Sequence, residues 1–285
     1  MSALNKRPVR KVVSVQDLSC YGQCSLTVAL PILSAYGLET AVLPSALLST
    51  HTSGFTGYTC LDLTEELGSI VRHWRQEGLV FDALCTGYIG DVRQFDLILS
   101  LQQTLLREGG LLIADPAMAD DGRLYPALNR DIVLGMRELV RHAQVVMPNL
   151  TEASLLLDLP YQEQYSQAEL QSLLRGLADL GPELSVLTGV SHPDGRIGAM
   201  AYRRPTGEFT EAYTLRVPRH YHGTGDVFAA VLTGELLGGR ETQPALEAAC
   251  DFVVQSILET LEDRDHGYGV RFERVLRRKM FPDFT

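Results

Sequence analysis

The sequence lacks an excess of positive charge. Its 25 Lys and Arg stand against 35 Asp and Glu, for a net charge of −10. A protein dedicated to nucleic acid or to an anionic membrane needs the opposite balance to neutralise phosphates, so both partners are set aside. A phosphate on a small ligand stays open, because main-chain amides bind it locally. No stretch approaches 18 uncharged apolar residues, which argues against a transmembrane helix. Lys6, Arg7, Arg10 and Lys11 precede only Val12-Val13-Ser14-Val15 before Gln16 and Asp17, too short a run for a signal-peptide core. Cysteine is scarce: five residues, an odd count without a repeating spacing, do not make a disulfide framework. Cys20 and Cys24 are four apart, but no second pair or His follows at a zinc spacing. Buried, reduced thiols and a cytoplasmic location are the expectation. Internal repeats, low-complexity tracts and long linkers are also absent, so one domain over residues 1–285 is expected.

Several motifs are missing as well. There is no G-x-x-x-x-G-K-[ST] and therefore no P-loop. No G-x-G-x-x-G follows the first strand, which weakens a dinucleotide-binding reading. G-x-S-x-G and the H-R-D and D-F-G pair are absent, which disfavours an α/β-hydrolase and a protein kinase.

What is present is an alternation of strand-like and helix-like segments. Residues 11–16 are Val-rich and read as a first strand, and 24–35 follow as a helix containing Pro31. Residues 39–45 read as a second strand. Leu63, Leu67, Ile70, Val71 and Trp74 share a helical face. Residues 81–85 are a short apolar strand ending in Thr86-Gly87-Tyr88. A helix over 92–107 leads to a strand over 111–114 that ends in Asp115-Pro116. A strand over 143–147 ends in Pro148-Asn149. An apolar stripe from Leu170 to Leu180 precedes a strand over 184–187. Residues 199–202 and 208–214, joined by Pro205-Thr206-Gly207, read as a hairpin. Two helices then close the chain. This alternation predicts an α/β fold with a mostly parallel sheet covered on both faces. Ligands of such sheets bind beyond the carboxyl ends of the strands. Asp17, Tyr88, Asp115, Asn149 and Thr188 are placed there.

Gly223-Thr224-Gly225-Asp226 runs directly into an apolar helix. Two glycines let the chain turn sharply and approach a ligand, and the helix points unpaired N–H groups and its positive end at that spot. Asp226 would repel a phosphate there. It makes sense as a base that takes a proton from an attacking hydroxyl, or as a helix cap after a glycine turn. Asn149-Leu150-Thr151-Glu152 fits a capping box and equally fits residues that orient a metal-bound water and nucleotide phosphates. Asp115, with Asp120 and Asp121 behind it, suits Mg²⁺ or a plain turn. His51, in the polar turn over residues 49–54, fits contact with a polar ring or a place on an inert surface loop.

Taken in order, these segments resemble the ribokinase-like superfamily, and within it the vitamin B6 kinases. The residues that carry the resemblance are Ser14-Val-Gln-Asp17, Ser49-Thr-His-Thr52, Thr86-Gly-Tyr88, Asp115-Pro116, Pro148-Asn-Leu-Thr-Glu152 and Gly223-Thr-Gly-Asp226. The resemblance implies an ATP- and Mg²⁺-dependent kinase of the 5′-hydroxymethyl group of a B6 vitamer, with K⁺ as an optional activator. Asp226 would be the base, and Gly223, Thr224 and Gly225 the anion hole. Asp115 and Glu152 would stand near Mg²⁺ and the phosphates. Asn149, Thr188 and Thr224 would contact the nucleotide, and Asp17, His51, Thr52 and Tyr88 would form the substrate pocket. A homodimer is implied by the resemblance only. Many B6 kinases have Ser where Asp17 stands, so an acid there is expected to favour pyridoxamine or another cationic pyridine. The Asp17-x-Ser19 stretch also resembles hydroxymethylpyrimidine kinases of thiamine synthesis. A non-catalytic nucleotide-binding relative is the alternative of another class. The short hairpin predicts a small lid and a flat substrate.

Overall fold

A computed structural model describes residues 9–52, 54–263 and 266–280 of the chain. Lys6, Arg7 and, within the polar turn over 49–54, Ser53 lie outside the described residues. The alternation of short apolar strands and amphipathic helices builds one nine-stranded sheet flanked by helices. In chain order its strands are β1 (Lys11–Ser19), β2 (Glu39–Leu48), β3 (Cys60–Asp62), β4 (Phe81–Thr86), β5 (Leu106–Ala114), β8 (Val145–Val146), β9 (Leu184–Ser191), β10 (Ile197–Arg203) and β11 (Glu208–Thr214). A separate two-stranded ribbon pairs β6 (Ala119–Asp120) with β7 (Arg123–Leu124). The sheet order is β11-β10-β9-β8-β5-β4-β1-β2-β3. From β9 to β2 every neighbouring pair is parallel, whereas β3, β10 and β11 are antiparallel to their neighbours.

Successive side chains of a strand point to opposite faces, and the core divides accordingly. Val13, Val15, Leu84, Leu112 and Leu187 join one apolar cluster, and Val12, Ala83, Ile113 and Val186 join the other. The first face is covered by α2 (Thr64–Gln76), α3 (Arg93–Leu105), α4 (Arg130–His142), α5 (Leu150–Leu157) and α6 (Gln167–Leu180). The second is covered by α1 (Leu26–Ala35), α7 (Thr224–Leu237), α8 (Thr242–Leu261) and α9 (Glu273–Met280). Helix α7 is apolar nearly all round because it lies between α1, α8 and the sheet.

The expected α/β fold, parallel sheet and hairpin are present, with four differences. Helix α3 stops at Leu105 and β5 begins at Leu106, five residues before the expected strand, with a register shift against β4. Leu106 adopts extended backbone, which ends the helix directly at the start of β5. The β6–β7 ribbon and β3 were unanticipated, as were α4 and a third terminal helix, α9. The thiols are also not uniformly buried: Cys85 and Cys250 are, whereas Cys20 and Cys60 are exposed and Cys24 is half-buried, all five free. Among the described residues no helix is long and apolar enough to cross a membrane.

Candidate active site

The carboxyl ends of β1, β4, β5, β8 and β9 converge with the start of α7. The turn before α7 is set by close packing. Gly223 has φ +80°, and a Cβ on it would lie 2.1 Å from the Gln23 carbonyl oxygen. Only glycine fits there. Gly225, in the first turn of α7, has nothing within 4 Å of its would-be Cβ. The space above it is open, beside main-chain N–H groups that have no helical carbonyl partner. Thr224 donates its hydroxyl to the Tyr221 carbonyl at 3.3 Å.

Asp226 follows, half-buried. Burial pushes its carboxyl up to about 6, the Ser25 main-chain N–H favours the charged form, and the Asp17 charge opposes it. A carboxylate poised near neutrality is suited to accept a proton. Ser25 itself is buried and held at φ 48°, a left-handed conformation unusual for a residue with a side chain. Such strain persists where the surroundings over-determine it.

Asp17 lies at a register shift between β1 and β2, which turns the strand end. It is 6% exposed and accepts the Ser19 hydroxyl at 3.1 Å. Burial raises its pKa, against the Ser25 and Ser19 hydroxyls. Tyr88, half-buried, faces Asp17, Cys60 and Tyr58, and burial followed by those charges pushes its phenol up to about 12. His51 is buried rather than on an inert surface loop. Its ring packs on Phe55 at 5.1 Å and lies 5.8 Å from His222. Burial and the His222 charge lower its pKa, against a main-chain bond with Tyr268 that raises it. Thr52 is exposed.

On the other side of Asp226 stands Asp115, just beyond β5, where burial and the Asp226 charge push its carboxyl up to about 8. Glu152 is buried next to Asp115, and burial followed by that charge raises it well above the usual carboxylate range. The capping box predicted as one alternative is present: Asn149 Oδ1 accepts from the Glu152 N–H, and Glu152 Oε2 from the Asn149 N–H, both at 2.9 Å. Glu152 Oε1 also accepts from Met118 N–H at 3.1 Å. Asn149 donates to the Ala119 carbonyl at 2.8 Å, and the Gly122 N–H donates to Thr151 at 2.9 Å. The Asn149–Glu152 segment thus caps α5 and ties the Asp115 loop to it. Thr188, inside β9 rather than beyond it, donates its N–H to Pro148 at 3.0 Å and bridges to Asn149.

The donor set decides what a metal would find. Among the described residues no group of three or more His, Cys, Asp or Glu is arranged to hold a metal ion. Two adjacent carboxyls with only oxygen donors fit a hard divalent cation that keeps its waters and takes phosphate oxygens, as Mg²⁺ does. Glu152 has both oxygens engaged by main-chain N–H groups, so Asp115 is the freer of the two.

Sequence reasoning missed Tyr125, whose phenol faces Glu152, Asp120, Asp115 and Asp226. It also missed the cluster of Tyr21, Phe55 and Tyr268, with ring centroids 5.0–6.2 Å apart. Tyr268 arrives from the far end of the chain, through the Gln23 N–H bond to its carbonyl at 3.1 Å. No local pattern marks such a contact.

Against known proteins, residues 34–270 match the family described as phosphomethylpyrimidine kinase. A pyridoxine/pyridoxal/pyridoxamine kinase of Bordetella avium is 30% identical over 269 residues, spanning 86% of this chain and 84% of its own. A crystal structure of a Bacteroides thetaiotaomicron protein, provisionally assigned as a phosphomethylpyrimidine kinase and holding pyridoxal, is 38% identical with TM-score 0.90, over 95% of each chain. A Leishmania donovani pyridoxal kinase in complex with ADP and ginkgotoxin, 24% identical, shares the fold with TM-score 0.84, over 94% of this chain and 95% of its own. With the converging strand ends, the glycine turn and the carboxylates around it, these matches show that the chain belongs to the phosphomethylpyrimidine kinase/pyridoxal kinase family of ribokinase-like fold.

Proposed function

We propose that the chain is a single kinase domain that transfers the γ-phosphoryl group of ATP to the 5′-hydroxymethyl group of a vitamin B6 vitamer. The observation that carries this reading is Asp226, held near neutrality at the N-terminus of α7 beside the open space over Gly225. Asp226 takes the proton of the acceptor hydroxyl as its oxygen attacks the γ-phosphorus and ADP leaves. The first-turn N–H groups of α7, from Gly223 to Gly225, face the charge on the transferring group. Preorganised donors of this kind lower barriers because they need no rearrangement during reaction. Asp115, backed by Glu152, would hold Mg²⁺, which supplies charge neutralisation of the phosphates when bound. Asn149 and Thr188, joined across the β8 and β9 ends, line the nucleotide side. His51 and Tyr88 flank the acceptor side. The pyridoxal and ADP bound to relatives support a small-molecule acceptor and a nucleotide donor. A cytoplasmic homodimer belongs to the same reading.

A second reading, transfer to hydroxymethylpyrimidine, is favoured by the family match itself. The test is ATP turnover with Mg²⁺ against pyridoxal, pyridoxamine, pyridoxine and hydroxymethylpyrimidine. Turnover of at least one vitamer, above that of the pyrimidine, is expected. Turnover of the pyrimidine alone overturns the vitamer assignment and keeps the chemistry. ATP binding with no turnover of any acceptor overturns both.

A further inference from the structure

The loop between β1 and α1 meets three parts of the site in four residues. A Cβ on Gly22 would lie 2.1 Å from His51 Cδ2. The Gln23 carbonyl oxygen stands against Gly223, at the turn into α7. Two residues on, the Ser25 main-chain N–H bonds to Asp226. The support for this loop comes from the far end of the chain. The Gln23 N–H donates to the Tyr268 carbonyl at 3.1 Å. A Cβ on Gly269 would lie 2.6 Å from Gln23 Cβ, so Gln23 is clasped between two glycines, Gly223 and Gly269. Its side chain is fixed as well. Nε2 donates to Glu273 Oε1, and Oε1 lies 3.2 Å from His266 Nε2. Arg271 can only donate, and its Nε donates to His266 Nδ1 at 3.4 Å. His266 Nε2 therefore carries the proton and donates to Gln23 Oε1. Both ends of the Gln23 amide have a matched partner, and both partners lie in residues 266–273. That segment is itself anchored: Val270 and Phe272 are buried in the core, and the Arg271 N–H donates to Thr260 at 2.8 Å.

We propose that Gln23 is a positioning residue for phosphoryl transfer, through which the packed segment 266–273 fixes the Gly223 turn relative to Asp226. This rests on the kinase reading above and adds a support for its chemistry. Gln23 acts through its main chain: the carbonyl backs the turn, and the Ser25 N–H that follows holds the base. Donors that lower a barrier must already be in place when the reaction begins, and a turn seated on a loop is only as precise as the groups that hold the loop. A tie that served the fold alone would move melting and leave turnover as it was.

The experiment uses Gln23→Met, which keeps the length and removes both amide bonds, with Glu273→Ala and Glu273→Gln. Glu273→Gln retains an acceptor oxygen for Gln23 and is the conservative control. Glu273 is exposed, so Glu273→Ala remains informative even where Gln23→Met fails to fold. Turnover is measured with ATP, Mg²⁺ and whichever of the four acceptors reacts. A misplacement of about 1 Å costs about 10²-fold in rate, so Gln23→Met and Glu273→Ala are expected to lower kcat by about 10–100-fold, with both KM values held within about twofold. Glu273→Gln is expected to restore most of that loss. The double variant Gln23→Met/Glu273→Ala should be no worse than Gln23→Met, because the two changes remove one shared bond. A second readout needs no activity: in the free chain, Glu273→Ala should shift the main-chain amide NMR signals of Gly223 and Gly225 and leave that of Gly207, in the β10–β11 turn, in place. Folded Gln23→Met or Glu273→Ala with kcat near wild type overturns the proposal, as do Gly223 and Gly225 signals that do not move. A wild type that turns over no acceptor refutes the kinase reading separately, and the NMR signals still decide whether the C-terminal segment sets the turn.

Discussion

The two ends of the central sheet handle charge in opposite ways. At the amino end, opposite signs meet: Arg107 pairs with Asp82 at 2.8 Å, Lys11 lies 3.8 Å from Glu39, and the Lys11 N–H donates to Asp82 at 2.6 Å. At the carboxyl end, Asp17, Asp115, Glu152 and Asp226 crowd together, and no Lys or Arg is among the groups that act on them. They are restrained by N–H groups, hydroxyls and burial. Arrangements of the first kind tie strands together at little energetic consequence. The second kind sets acids against one another in a buried site, and proteins commonly give up stability this way where they function.

The sharpest way to break this contrast is Asp226→Asn. Loss of a general base costs about 10²–10⁴-fold in kcat, while removing one of the crowded charges leaves melting temperature unchanged or higher. A variant that keeps near-wild-type kcat would show that Asp226 is not the base, and one that melts well below wild type would show that its bond from the Ser25 N–H matters more to the fold than its charge costs. The wild-type kcat/KM is also expected to fall below about pH 6, where Asp226 becomes protonated.

Next in size is the pair of glycines in the turn. Gly225→Ala meets nothing in the protein, so the fold is retained. Its methyl group nevertheless enters the space where the phosphoryl group is expected, and a displacement of this size costs about 10²-fold in rate. Gly223→Ala collides with the Gln23 main chain in a left-handed conformation and is expected to lower stability as well as activity. Equal effects on melting for the two variants would remove the distinction between an open and a packed glycine.

The smallest effect is on the pH dependence of stability. Asp115 and Asp226 titrate near 8 and 6 in the folded chain, against about 4 when unfolded. Between these limits the folded state holds more protons, so their contribution to stability is full below about pH 4 and declines as pH rises through 6 and 8. The acids with lowered values, such as Asp194 near 2, titrate below this window. Melting followed from pH 5 to 8 should show a flatter decline for Asp115→Asn than for wild type. An identical slope would mean that the carboxyl-end repulsion is already relieved in the free protein.

Most of the sheet was legible because its strands are short apolar runs that end in polar residues, as with the Val-rich start of β1 and Leu112-Ile113-Ala114 of β5. Helix α4 was equally legible in principle, with Asn129 as its cap and Ile132, Met136, Leu139 and Val140 on one face. Helix α9 was not. Its residues are mostly charged, and it is held by Arg278 and Arg274 on Glu259 and by Lys279 on Asp251, contacts between segments far apart in sequence. At the site, the glycine turn and each strand-end carboxylate could be picked out singly. That Glu152 has both oxygens filled by main-chain donors, and that His51 is buried under an aromatic cluster, could not.

By itself, then, the sequence determined the layered α/β architecture and the identity of the chemical groups at the strand ends, because periodicity and turn chemistry are local properties of the chain. Only the tertiary structure decided which of those groups face one another. The proximity of Asp17 to Asp226, the coupling of Asp115 to Glu152 and the seat of Tyr268 over the loop after β1 all depend on burial and on distances between segments. Those are properties of the packed chain, and they are what move a carboxyl from its ordinary range to one where it can exchange a proton near neutral pH.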